Sequence, residues 1–131
     1  MATQNTQKPF DVYYNAADGF VTMTWRGYAT SQEFRQGSEM MLKLLTNNHV
    51  NKVLADIQEM LIIGRDDQDW LETEFLPRAI TAGFKAIAFV KPGNHFGRVT
   101  VQTVSDKIDQ EKLTIRFCDT IDEARQWISS C

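Results

Sequence analysis

The stretch from Asp66 to Val90, DDQDWLETEFLPRAITAGFKAIAFV, limits the possible folds of this chain more than any other. Acidic residues open it, which suits the positive end of a helix dipole. Apolar residues then recur at Trp70, Leu71, Phe75, Leu76, Ala79 and Ile80, the spacing of a helix with one buried face. Gly83 is a terminator that takes positive φ at little steric cost. The run Ala86-Ile87-Ala88-Phe89-Val90 follows and is closed by Lys91-Pro92-Gly93. A short apolar run between turn residues reads as a buried strand. Helix, glycine and buried strand make half of a parallel β/α unit. Pro77 lies inside the helical pattern and lacks the amide that would bond the Thr73 carbonyl, so a kink or a two-part helix is expected there.

Upstream, Asp11 to Tyr14 and Phe20 to Trp25 are rich in β-formers and are joined by Asn15-Ala16-Ala17-Asp18-Gly19. That loop ends in Asp-Gly, a hairpin signal. The period of two turns Val21, Met23 and Trp25 to the core and leaves a more polar opposite face. A helix from about Ser31 to Asn47 follows, with Thr30 and Glu33 as a capping box. Its buried stripe is Phe34, Ser38, Met41, Leu42 and Leu45, and Asn47-Asn48-His49 is its exit. Lys52 to Asp56 reads as a strand, and Ile57 to Arg65 as a loop whose Met60-Leu61-Ile62-Ile63 run should be tucked under the second helix. Phe96 to Ile108 is assigned to a helix, because parallel neighbours need a crossover there. Leu113 to Phe117 is the last strand. Thr120 and Glu123 cap a closing helix that buries Ile121, Ala124 and Ile128. The order is ββαβαβαβα: an α/β fold with a mixed sheet of about five strands and an N-terminal antiparallel hairpin. Residues 1–10 read as a flexible arm and residues 11–131 as one domain.

Composition narrows the function classes. With 43% hydrophobic and 24% charged residues the chain is an ordinary globular sequence. A net charge of −3 lacks the basic excess that phosphate-backbone binding demands, so nucleic acid is not an expected partner. No apolar run approaches the roughly 18 to 20 residues needed to span a bilayer. The first ten residues lack an apolar signal core, and a cytoplasmic location is expected. Cys118 and Cys131 make no disulfide framework and are expected to be reduced, Cys118 in a strand and Cys131 at the end of the sequence.

Recognisable chemistry is sparse. Gly93-Asn94-His95-Phe96-Gly97 lacks the spacing of a phosphate loop. His49 and His95 stand apart, and no zinc-ligand spacing occurs. Asp66, Asp67 and Asp69 are explained by helix capping and the helix dipole. No catalytic residue, metal or cofactor is assigned. What remains is positional: ligands of open α/β sheets bind beyond the carboxyl ends of the parallel strands. On that ground Asp56, Arg65, Asp66, Lys91 and His95 are the candidate partner- or ligand-binding residues.

Four segments carry a family resemblance: WRGYATSQEF, KVLADI, the central block DDQDWLETEFLPRAITAGFKAIAFV, and FCDTIDEARQWI. From Tyr13 to Ile128 the chain resembles STAS-like proteins of the SpoIIAA-like group. The resemblance implies a sheet wound with right-handed β/α units. Anti-sigma-factor antagonists of the wider superfamily bind a kinase-like partner. They are switched by phosphorylation of a serine in an Asp-Ser-Ser-Gly motif at the start of the second helix. Here that region reads Gly64-Arg65-Asp66-Asp67, with no hydroxyl, so that switch is not expected. The group also resembles lipid-binding Sec14-type domains in fold. The expected function is a non-enzymatic interaction or regulatory module that contacts a protein partner through the carboxyl edge and the second helix. The alternative is a small binding protein for a lipid-like or apolar ligand, using Met60 to Ile63 and nearby aromatics. A homodimer is compatible with either. A continuous apolar cavity would separate the two readings.

Overall fold

The computed structural model describes residues 9–60, 63–91 and 112–131. The expected hairpin is formed by β1 (Phe10–Asn15) and β2 (Phe20–Gly27), paired antiparallel with Asn15 opposite Phe20. Its turn is built from the sequence up. The Asn15 carbonyl accepts from the amides of Asp18 and Gly19, the Asn15 side chain accepts from Ala17, and Gly19 takes φ 77°. Phe10, expected at the end of the arm, is instead the first residue of β1 and only 3% exposed.

The strands β3 (Lys52–Met60), β4 (Ala86–Val90) and β5 (Thr114–Cys118) continue the sheet in sequence order, each parallel to its predecessor. Crossovers of one hand between strands laid down in order must all fall on one face. Accordingly α1 (Ser31–Asn48), joining β2 to β3, buries Phe34, Met41 and Leu45 in the same cluster as the helical segment joining β3 to β4. The capping box at Thr30 and Glu33 is complete, and the exit residue in the left-handed conformation is His49, at φ 56°.

The second connection is divided as Pro77 requires. It comprises α2 (Arg65–Trp70), a π-helical stretch (Leu71–Phe75) and α3 (Leu76–Thr81), with Pro77 in the first turn of α3. At the junction the amide of Leu76 reaches back to the Leu71 carbonyl. The widened turn absorbs the amide that proline lacks. Leu71, Phe75, Leu76 and Ala79, read from the sequence as one face, all reach the core.

One expectation is corrected. The stretch from Ile57 to Met60 is not loop but the second half of β3. The register with β2 shifts there, from Thr24 opposite Asp56 to Arg26 opposite Glu59. The Asp56 carboxylate accepts from both the amide and the side chain of Gln58 across the irregularity. The shift leaves two consecutive exposed residues, Gln58 and Glu59, which breaks the alternation that marks a strand. The other face of β2 does carry the more polar residues Thr22 and Thr24, yet Phe20 and Thr22 on it are buried. The closing helix α4 (Ile121–Ser130) packs on that side of the sheet and seals Phe20, Leu54, Ala88, Val90 and Cys118 under Ala124 and Ile128. Arg125 ties α4 to the hairpin turn through Asp18 at 2.7 Å. Thr120 caps α4 as expected, but the Glu123 carboxylate returns to the amide of Asp119 rather than to that of Thr120. The expected helix over residues 96–108 lies outside the described residues.

Two tests follow from the face under α4. Burial pushes the Cys118 thiol above its ordinary pKa, the Glu123 carboxylate adding to the shift. Cys118 should therefore react with a thiol reagent only as fast as the protein opens, while exposed Cys131 reacts at once. Equal rates in the folded protein would refute this burial. Thr22 is 7% exposed, and its hydroxyl has no hydrogen-bond partner among the described residues. Leaving a buried hydroxyl unpaired costs about 1 to 3 kcal/mol. Thr22→Val should thus raise the urea midpoint by the equivalent of roughly 1 kcal/mol, and a lowered midpoint would count against the orphaned hydroxyl.

Candidate functional site: an apolar cavity with one carboxylate beside it

Between the sheet and the layer formed by α1 and the α2–α3 segment lies a cavity of about 100 Å³. Its floor includes Met23 on β2, Ile57 on β3 and Ile87 on β4, and its roof includes Phe34 and Met41 from α1 and Phe75 from the π-helical stretch. Ser38 is the one polar side chain among the described lining residues, and its hydroxyl is spent on the Phe34 carbonyl at 2.9 Å. Among the described residues the wall is thus apolar and offers no titratable group. Three lining residues are methionines, Met23, Met41 and Met60, whose unbranched side chains adapt to an occupant's shape.

A chain of rings runs past the cavity, and its members Trp25, Phe34 and Phe75 line it. Phe10, Trp25, Phe34, Trp70 and Phe75 follow one another at centroid separations of 5.2, 5.4, 6.2 and 5.3 Å. Arg35 lies over Trp70 at 5.1 Å and Arg78 over Phe75 at 5.5 Å, each guanidinium attracted by the ring face. Arg78 also grips Glu39 of α1 through two bonds, of 2.7 and 2.5 Å, and so links α1 to α3. That contact holds the Glu39 carboxyl below its usual range.

A recess of about 10 Å³ adjoins the cavity and shares Trp25, Phe34, Met60 and Ile63 with it. Gly27, Ala29 and Asp67 complete the recess. Asp67 is only 5% exposed. Its Oδ2 accepts from the Ser31 hydroxyl at 2.9 Å, and Arg35 Nε stands 3.5 Å from Oδ1. Oδ1 itself accepts no hydrogen bond among the described residues.

The residues singled out from the sequence lie elsewhere. Asp56 is half-buried within β3 rather than at its end, because the strand runs on to Met60. Arg65 and Asp66 are exposed at the start of α2. Lys91 is exposed after β4 and pairs with Asp119 at 3.1 Å, so these two carboxyl-edge residues do meet. Asp56 is in register with Val90, the residue before Lys91. His95 lies outside the described residues. None of Asp56, Arg65, Asp66 and Lys91 lines the cavity or the recess. From the apolar run, Met60 and Ile63 do line both.

Asp67, read from the sequence as a solvated capping residue, is the buried acid of this region. The signal was its helical phase: it precedes Trp70 and Leu71 by three and four residues, on the stripe facing inward.

The architecture is that of the SpoIIAA-like fold: a mixed five-stranded sheet, opened by an antiparallel hairpin, with helices packed on it. Two solved structures share it. One is the protein TM1081, determined by NMR, with a TM-score of 0.61 and 16% identity over 98% of this chain and 93% of that one. The other is the crystal structure of an uncharacterised protein of the DUF3478 family from Shewanella loihica PV-4, described as having a SpoIIAA-like fold. It has a TM-score of 0.61 and 14% identity over 97% of this chain and 99% of that one. No protein-family model and no curated protein matches the sequence. Among the described residues no helix is long and apolar enough to cross a membrane.

Proposed function

We propose that this SpoIIAA-like domain is a non-enzymatic binding module whose ligand is a small apolar molecule taken into the cavity. The observation carrying this reading is the cavity itself, about 100 Å³ and lined by apolar side chains. An engineered apolar cavity of about 150 Å³ stays dry and binds benzene, so a void of this character and similar size favours an apolar occupant over water. The methionines let the wall follow that occupant. This reading is preferred to docking of a protein partner on the carboxyl edge, because Asp56, Arg65, Asp66 and Lys91 share no recess with one another among the described residues. The exposed start of α2 presents Arg65 and Asp66 with no hydroxyl to phosphorylate, so the module is not switched by serine phosphorylation there.

Native mass spectrometry of the protein purified from its source tests the proposal. The expected result is an added mass that stays with the folded protein and is lost on denaturation. An unliganded mass, together with no change in thermal midpoint under saturating benzene, would overturn it.

A further inference from the structure

We infer that the ligand carries a hydroxyl head, and that Asp67 Oδ1 receives it as a hydrogen-bond acceptor in the recess beside the cavity. The inference rests on the apolar-ligand reading above and adds the chemistry of the ligand's polar end. Asp67 is more than nine-tenths buried, in a recess walled otherwise by apolar side chains and backbone. A carboxylate in such a place is costly unless its lone pairs are used. Oδ2 is used by Ser31, whereas Oδ1 has the Arg35 guanidinium 3.5 Å away as an ion-pair partner but accepts no hydrogen bond from any described group. The recess, at about 10 Å³, is large enough for one oxygen atom of a water or a hydroxyl. The recess and the cavity share Trp25, Phe34, Met60 and Ile63, so a ligand body in the cavity and a single polar atom in the recess would rest against the same four residues.

The sign of the head follows from the charges. An anionic head would meet the Asp67 carboxylate and is disfavoured. A cationic head would crowd Arg35, whose Nε already stands 3.5 Å from the same oxygen. A neutral donor suits both neighbours. The ligand class is therefore a small alcohol or phenol with an apolar body of about six carbons, the size a benzene-binding cavity accepts.

The test compares benzene with phenol, titrated into the full chain and followed by backbone amide chemical shifts. Wild type should bind phenol at least about tenfold more tightly than benzene, the weight of one hydrogen bond to a charged acceptor. Asp67→Leu should bring that ratio to about one. If the leucine variant does not fold, Asp67→Asn keeps the shape, removes the charge and should lower the ratio in the same direction. A ratio unchanged by these substitutions, with benzene still bound, would overturn the hydroxyl assignment and leave the cavity reading standing. Failure of both probes to bind would overturn both.

Discussion

Phe75→Ala is expected to destabilise the domain by about 3 to 5 kcal/mol, the largest effect of any single substitution considered for this chain. Phe75 is 1% exposed, stacks on Trp70 at 5.3 Å, and carries the Arg78 guanidinium 5.5 Å from its ring. It closes the π-helical stretch and is part of the roof of the cavity. The cost of truncating a core side chain depends on how far the site can collapse around the void. Here the new void joins a cavity already present, and its neighbours are held by a ring stack and by the Arg78–Glu39 link, so little collapse is available. The upper half of the range is expected for that reason. Urea denaturation of Phe75→Ala beside Glu74→Ala measures it. The exposed Glu74 should change stability by no more than about 0.5 kcal/mol. Equal midpoints for the two variants would place Phe75 off the sheet-facing side.

The parts of this fold legible in the sequence were those written locally. Asp18-Gly19 between β-formers announced the hairpin, and the recurrence from Trp70 to Ile80 announced the buried helix. Gly83 marked where that helix must give way to β4, and it does take positive φ, 115°. Pro77 announced the break, although not that a π-helical turn would absorb it. What was not legible depends on distant packing. Phe20 looked like the odd apolar residue on a polar face because α4, about a hundred residues later, is what covers it. The full length of β3 was hidden by a register shift whose two exposed residues imitate a loop. Asp67 was concealed by its own chemistry, since an acid at a helix start has a ready explanation in the dipole. Of the cavity, only the apolar run from Met60 to Ile63 gave a sign in the sequence, and Met60 and Ile63 do line it. Its lining residues look like core in the sequence, and only their spacing in three dimensions leaves the space empty.

Gly37 in the middle of α1 makes the opposite test, of a place where the packing leaves no space. In a helix interior glycine is worse than alanine by about 1 kcal/mol, so on propensity alone Gly37→Ala should stabilise the protein. The structure reverses that sign. A Cβ on Gly37 would lie 2.7 Å from Trp25 Cη2, 3.0 Å from Trp25 Cζ2 and 3.2 Å from Phe10 Cδ2. The first of these is a distance no relaxed structure tolerates, so one partner must move. Trp25 cannot yield by bending, because an indole is rigid. Its ring is 4% exposed and wedged between Phe10 at 5.2 Å and Phe34 at 5.4 Å. The strain therefore passes to the separation between α1 and β2. Forcing extra atoms into a packed core costs about 1 to 3 kcal/mol, which offsets the propensity gain for alanine and exceeds it for a larger side chain. Gly37→Val adds two methyl groups and a β-branched penalty, and should destabilise by about 2 to 3 kcal/mol. Gly37→Ala should fall between wild type and the valine variant. The measurement is the urea midpoint of both, with near-ultraviolet circular dichroism reporting on the Trp25 environment. A higher midpoint for Gly37→Ala would mean that α1 rides further from β2 than the ring contacts require.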